Sequence, residues 1–248
     1  MQILHLDEHL VAVYKPAGWL VHRSAIDRHE TRIAMHRVRD QLGRRVYPVH
    51  RLDKPTAGVL LFALDAEVAR GMGERFAAGE VRKRYLAIVR GHVQESGVID
   101  YPLIEEQDAL TDHLADKDKP PRPAITEYRR LAVAELPYPV GRYATARYSL
   151  VQALPKTGRK HQIRRHMKHI FHPVVGDTTH GHGKQNRLFR DRFGCARLLL
   201  LSHGMSFAHP CGDETIDIAA PPDEEFMRMV IRLGWRDVWP ANNAVTKI

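Results

Sequence analysis

Apolar residues along this chain fall into short runs separated by turn residues, and the spacing within each run sorts them into strands and helices. Leu10–Tyr14 (LVAVY) has the β-branched composition of a strand and stops at Lys15-Pro16-Ala17-Gly18, a turn. Gly58–Leu64 (GVLLFAL) is apolar throughout and predicts a buried strand. Val81–Arg90 (VRKRYLAIVR) alternates as a half-buried strand does. Further strands are predicted at Gly97–Leu103, Ile125–Glu135, Ala144–Ala153, Leu198–Phe207 and Thr215–Ile218. Helical spacing covers Thr31–Leu42, which stops at Gly43. A second helix follows Asp65, whose carboxylate can cap it, and ends near Gly79. Two more helices are predicted at Lys160–Ile170 and Asp223–Leu233. Asp108–Pro123 is charged and proline-rich and reads as an exposed loop. Many strands with few interspersed helices, and no regular βαβ alternation, argue for an α+β fold. The expected architecture is a mixed, mostly antiparallel sheet with flanking helices and a central cleft between its two halves. No linker divides residues 1–248, so one domain is expected.

Composition narrows the class. With 248 residues, 44% of them hydrophobic, the chain can bury a sizeable core. No run of about eighteen apolar residues is present, so no membrane-spanning helix is expected. Asp7 and Glu8 interrupt the basic-then-apolar order of a signal peptide. Cys195 and Cys211 are too few for a disulfide framework and lack metal-ligand spacing. They fit core or strand thiols in a reducing, cytoplasmic setting.

The charge is localised. The formal net charge is +9, with a pI near 9.7. Between Pro155 and Arg197 eleven Lys and Arg face only Asp177 and Asp191, so this segment carries the whole excess. Such a field suits a polyanion such as RNA, and it equally suits a solvated basic surface kept for solubility.

Three segments carry candidate chemistry. In His50-Arg51-Leu52-Asp53-Lys54-Pro55-Thr56-Ala57-Gly58, Arg51 and Lys54 would keep Asp53 ionised. An ionised Asp serves as nucleophile or general base. Gly58 suits a positive φ here. An Asx turn ahead of Pro55 explains the same residues without chemistry. Tyr85, in KRYLA, is flanked by bases and suits stacking on a nucleobase, or a place in the core with its hydroxyl satisfied. In KTGRKHQIRRHM, Thr157 is a candidate cap, and Lys160, His161, Arg164, Arg165 and Lys168 spread over one broad helix face. Backbone N–H groups at this helix start can also meet a phosphate. His161, His166, His169 and His172 invite a metal site, but no carboxylate or Cys completes a set at a known spacing. Metal-free RNA contact is therefore the preferred reading. A metal-dependent phosphodiesterase and a non-catalytic RNA-binding protein are its competitors.

Taken together and in this order, the segments resemble the pseudouridine synthases that modify rRNA and tRNA with one catalytic aspartate. HRLDKPTAG is similar to the family's HRLDxxTSG motif, KRYLAIVRG to its second motif and KTGRKHQIRRHM to its third. The opening DEHLVAVYKPAGWLVH matches its strand-then-KPxG pattern. Ala57 stands where many members carry Ser, and Leu201-Ser202 where many carry His-Ala. GDTTHGHGKQNR is similar to a subgroup that lacks an N-terminal S4-type module and converts uridine-65 in the T-stem of tRNA. The resemblance implies the pseudouridine synthase fold with its catalytic cleft, and a cytoplasmic enzyme acting on tRNA. The same chemistry on ribosomal RNA is the alternative. It implies Asp53 as the catalytic aspartate, Tyr85 stacking on the target base, and Arg164 paired with Asp53. It implies Arg51 holding open the place the base has left, and Leu200 packing under the uracil. Lys156, Arg159, Lys160, His161 and Arg165 would contact the RNA backbone. No cofactor and no metal are expected, and the protein is expected to act as a monomer.

Overall fold

Every residue of strand β4 (Ala57–Ala63) is buried, because helices cover the sheet on both sides of it. The computed structural model describes residues 1–23, 29–105 and 120–238. On one side of β4, Val59 and Leu61 pack with Val68 and Met72 of helix α2 (Ala66–Ala78). On the other, Leu60 and Phe62 pack with Ala34 and Val38 of helix α1 (Ala34–Leu42). Strand β5 (Arg82–Arg90) is sandwiched in the same way. Its Leu86 and Ile88 meet Phe189 of helix α4 (Gly183–Phe193) and Phe226 and Met229 of helix α5 (Glu224–Arg232). Its Ala87 and Val89 meet Ile163 and Met167 of helix α3 (Gln162–His169). The half-buried reading of Val81–Arg90 is therefore corrected: Leu86–Val89 is buried on both faces.

The remaining strands are β1 (Ile3–Leu6), β2 (Leu10–Lys15), β3 (Tyr47–Pro48), β6 (Ser96–Asp100), β7 (Ile125–Leu136), β8 (Ala146–Pro155), β9 (Leu200–Ala208) and β10 (Thr215–Ala219). They form one ten-stranded sheet in the order β1-β2-β4-β9-β5-β8-β7-β6, with β3 on β4 and β10 on β9. Every pairing is antiparallel except β4 with β9, where Ala57 faces Leu201 and Gly58 faces Ser202. The α+β expectation with a mixed, mostly antiparallel sheet is borne out. No helix among the described residues is long and apolar enough to cross a membrane.

The two-residue parallel pairing joins the halves of the sheet, and Gly58 makes it possible. Its φ is 115°, and a Cβ there would lie 2.1 Å from the Ser202 carbonyl oxygen. Gly58→Ala should therefore cost roughly 2–3 kcal/mol from backbone strain and steric overlap combined. Urea denaturation reads this directly, and a parent-like midpoint would contradict the close approach.

Several boundaries differ from expectation for local reasons. Helix α1 begins at Ala34 rather than Thr31, because Ile33 is held extended in a bridge to Leu20. Helix α3 starts at Gln162, not Lys160. Thr157 is not its cap: that position is His161, in a left-handed conformation without a side-chain cap bond. The Thr157 hydroxyl instead donates to Gln162 Oε1 and accepts from the Ile125 N–H. Helix α4 and strand β1 were not expected. Helix α4 has no side-chain cap bond, and only Gln185 and Phe189 of it are buried. Cys211 is exposed in the β9–β10 turn, so the expectation of a core or strand thiol fits only the buried Cys195, which lies in a core cluster. Most of Asp108–Pro123 lies outside the described residues, while residues 120–123 are exposed.

Candidate active site

The loop that carries Asp53 enters the sheet at its junction. The Thr56 N–H donates to the Asp53 carbonyl at 3.0 Å, so the turn is closed by backbone rather than by an Asx side chain. His50 fixes the other side of the loop. Its Nε2 accepts the Leu61 N–H at 3.0 Å, and its ring stacks on Phe76 with centroids 4.9 Å apart. Burial, aided by the nearby Lys83 charge, pushes the His50 pKa down to about 3, which keeps this nitrogen an acceptor. Lys15, fully buried beneath the loop, donates to the carbonyls of Pro16, Trp19 and Lys54 at 3.1, 2.8 and 3.1 Å. Burial pushes its pKa down to about 7 against the pull of the Asp53 carboxylate.

Asp53 projects from this loop into a cleft of about 1000 Å³. Arg164 Nη1 donates to its Oδ2 at 3.1 Å, and His161 Nε2 lies 3.9 Å from the same oxygen. The neighbours expected from the sequence are placed differently: Lys54 Nζ lies 3.3 Å from Glu30 Oε2, and Arg51 is exposed on the cleft wall.

Arg164 is itself fixed from behind. Its Nε and Nη2 donate to the two carboxylate oxygens of Asp177 at 2.7 and 2.8 Å. Asp177 also accepts the N–H groups of Thr179 and His180, both at 2.9 Å. Arg164 is only 3% exposed and Asp177 2%. Burial alone would lower the Arg164 pKa, but Asp177 and then Asp53 outweigh it and the net shift is upward. Burial likewise would raise the Asp177 pKa, and the hydrogen bonds from Arg164, His180 and Thr179 turn the net shift downward. The expected spread of basic groups over one broad helix face is corrected here: Arg164 points inward as the hub of a carboxylate–guanidinium–carboxylate chain. In the sequence Asp177 is one of two acids opposing a basic segment and lies within GDTTHGHGKQNR, with nothing in either to mark it as the partner of Arg164.

Tyr85 and Leu200 line the same cleft as Asp53. Tyr85 sits on β5 opposite Ser202, beside a register shift between Arg84 and Tyr85. Burial pushes its pKa up to about 12, the Ser202 hydroxyl opposing and the Asp53 charge adding to the rise. Its phenol is therefore protonated at neutral pH. Leu200 opens β9 and is 3% exposed.

The basic segment forms the opposite wall. Gln162 holds it: its Oε1 accepts from Thr157 Oγ1 and the Arg159 N–H, and its Nε2 donates to Ile125 O and Thr126 Oγ1. Lys156, Arg159, Lys160, His161 and Arg165 all line the cleft, as Arg51 does. Lys156 also pairs with Glu127 at 2.8 Å, and Arg165 donates to the Ile104 carbonyl at 2.8 Å. The four histidines scatter. His166 is buried against Thr126 and Tyr101, His169 stacks on Tyr101, His172 contacts the Arg90 carbonyl, and His161 Nδ1 lies 3.0 Å from His180 Nε2. Among the described residues no three His, Cys, Asp or Glu side chains are grouped to hold a metal ion.

Known proteins resemble this chain in sequence and in fold. A family model described as RNA pseudouridylate synthase matches residues 9–169. A protein of Haemophilus influenzae named tRNA pseudouridine synthase C is 52% identical over 96% of this chain and 100% of its own length. A Pectobacterium carotovorum protein of the same name is 50% identical over 97% of this chain, which spans 64% of that protein's length. The solved structure of human RNA Pseudouridylate Synthase Domain Containing 4 superposes with a TM-score of 0.70 at 25% identity, over 94% of this chain and 93% of the other. That of human RNA Pseudouridylate Synthase Domain Containing 1 shares the fold, with a TM-score of 0.68 at 24% identity over 89% and 83%. With the family model covering all of the cleft loop, β5 and α3, and the Haemophilus relative aligned over its full length, the chain belongs to the RNA pseudouridylate synthase family.

Proposed function

We propose that this protein converts uridine to pseudouridine in tRNA, at uridine-65 of the T-stem, with Asp53 as the catalytic group. The observation that carries the reading is Asp53 Oδ2 held at 3.1 Å by a buried guanidinium, at the wall of a cleft lined with basic side chains. The names of the bacterial relatives support tRNA over ribosomal RNA as substrate.

The reaction breaks the N1–C1′ bond, turns the uracil and joins C5 to C1′. N1 ends protonated and the C5 proton leaves, so atoms and electrons balance without a redox partner or a leaving group. For that reason the chemistry requires neither cofactor nor metal. The target base leaves its stack first, at a cost of a few kcal/mol. Contacts of the phosphate backbone with Lys156, Arg159, Lys160 and Arg165 offset it. Asp53 serves each available route, whether attack on C1′, addition to C6 or removal of the C2′ proton. Arg164 aims the carboxylate by a charge-assisted hydrogen bond. Leu200 supplies an apolar floor for the uracil, Tyr85 stacks on the target base, and Arg51 helps hold open the place the base has left. Because the Tyr85 phenol is protonated, it takes up the C5 proton only while passing its own on.

Mapping pseudouridine in tRNA from cells with and without this protein tests the assignment; unchanged modification at position 65 refutes that site. Tyr85→Phe probes the phenol. It should fold normally, since only one hydroxyl is lost, yet turn over about 10²–10⁴-fold more slowly if that hydroxyl handles a proton. Turnover equal to the parent would leave Tyr85 as a stacking platform alone.

A further inference from the structure

Helix α3 closes in the manner usual for a glycine. The Phe171 N–H donates to the Lys168 carbonyl at 2.9 Å and the His172 N–H to the Met167 carbonyl at 2.8 Å. Phe171 itself is left-handed, with φ 65°. This paired closure favours glycine because a Cβ is strained there. Helices α1, α2 and α4 all end on a left-handed glycine, at Gly43, Gly79 and Gly194. Phe171 is also 83% exposed, more than any other large hydrophobic among the described residues. Its backbone is strained and its ring gains almost nothing from the core, so folding gives no reason for an aromatic at this position.

Its surroundings suggest one. A strip runs from the cleft along the outer side of α3. It begins at Arg165 and Ile104, which line the cleft and are joined by a hydrogen bond. It continues through Tyr101, 42% exposed and stacked on His169 with centroids 3.7 Å apart, to the exposed Lys168 and to Phe171. From Pro155 to Gly176 the chain carries six Lys and Arg and no acid. Asp100 and Glu105 flank the Tyr101 segment. Exposed aromatics interleaved with cations form the surface on which unpaired bases stack.

The geometry points to a second RNA contact: an unpaired nucleobase of the substrate, outside the target nucleotide, stacks on Phe171 while its phosphates lie against Lys168 and Arg165. This rests on the RNA-modifying reading above. The test compares Phe171→Gly, Phe171→Trp and the parent in thermal melts, tRNA binding at fixed salt, and steady-state tritium release. Phe171→Gly should melt a few degrees higher, because the strain is relieved. It should nevertheless bind tRNA about five-fold or more weakly, the loss expected for one stacked base, and the defect should appear in KM rather than kcat. Phe171→Trp should keep parental affinity. Leu6→Ala removes a half-exposed apolar side chain at the opposite end of the sheet order and should bind as the parent does. Parental tRNA affinity in Phe171→Gly overturns the proposal. So does a change in sedimentation with RNA affinity intact, which would assign Phe171 to self-association. A parent that makes no pseudouridine in any RNA, together with weakened binding by Phe171→Gly, would sink the proposed activity and leave this contact standing.

Discussion

Asp53→Asn should release no measurable tritium from tRNA carrying 5-tritiated uridine, while folding and binding that tRNA much as the parent does. A loss on the order of 10⁴-fold or more is expected when a nucleophile or general base is removed from a group that acts as a unit. The amide matches the carboxylate in shape, yet it can neither attack carbon nor take a proton. The fold survives for two reasons visible in the geometry. The loop is closed by the backbone bond from Thr56 to Asp53, which the substitution leaves alone. The buried Arg164 retains both of its hydrogen bonds to Asp177, so its charge is not orphaned. The affinity survives because the basic side chains of the cleft are untouched. Near-normal tritium release by the variant would end the proposed role of Asp53.

The sequence made some of this legible and hid the rest for physical reasons. The buried run after Gly58 and the turn residues before it located the Asp53 loop, because a continuous apolar strand and a Pro–Gly turn are local signals. The close approach of Gly58 to Ser202 was legible only as permission for positive φ, since the contact spans 144 residues. Periodicity misread β5, because helices lie on both faces of a strand whose flanking Lys and Arg imitate alternation. Helix α4 escaped notice because Gly183–Phe193 is mostly basic and polar and lacks a capping side chain. Within the site, the resemblance to a known family supplied the pairing of Arg164 with Asp53. Neither route supplied His50 as a structural acceptor or Asp177 as the anchor of Arg164. Both act through three-dimensional hydrogen bonds that leave no period and no spacing in the chain.

Asp177 accordingly offers the second large effect. Asp177→Ala strips a 3% exposed guanidinium of two of its three carboxylate hydrogen bonds. Breaking a buried pair by removing one partner costs about 3–5 kcal/mol, which lowers Tm by roughly 10 °C in a chain of this size. Activity should fall too, because Arg164 is then free to turn from Asp53. The double substitution Arg164→Met with Asp177→Leu separates the two effects. Replacing both charges by apolar groups should recover most of the stability, but not the activity, since Asp53 has lost its guanidinium. Acid titration adds an independent check. The folded pKa of Asp177 lies below its usual value of 3.8, so its ionisation adds stability above that value and loses it as pH falls through the folded pKa. Asp177→Asn should therefore lose less stability than the parent on going below about pH 4. A double variant as inactive as Asp53→Asn yet nearly as stable as the parent would assign the buried pair to aiming the carboxylate. A double variant with parental turnover would show that Asp53 needs no guanidinium at its side.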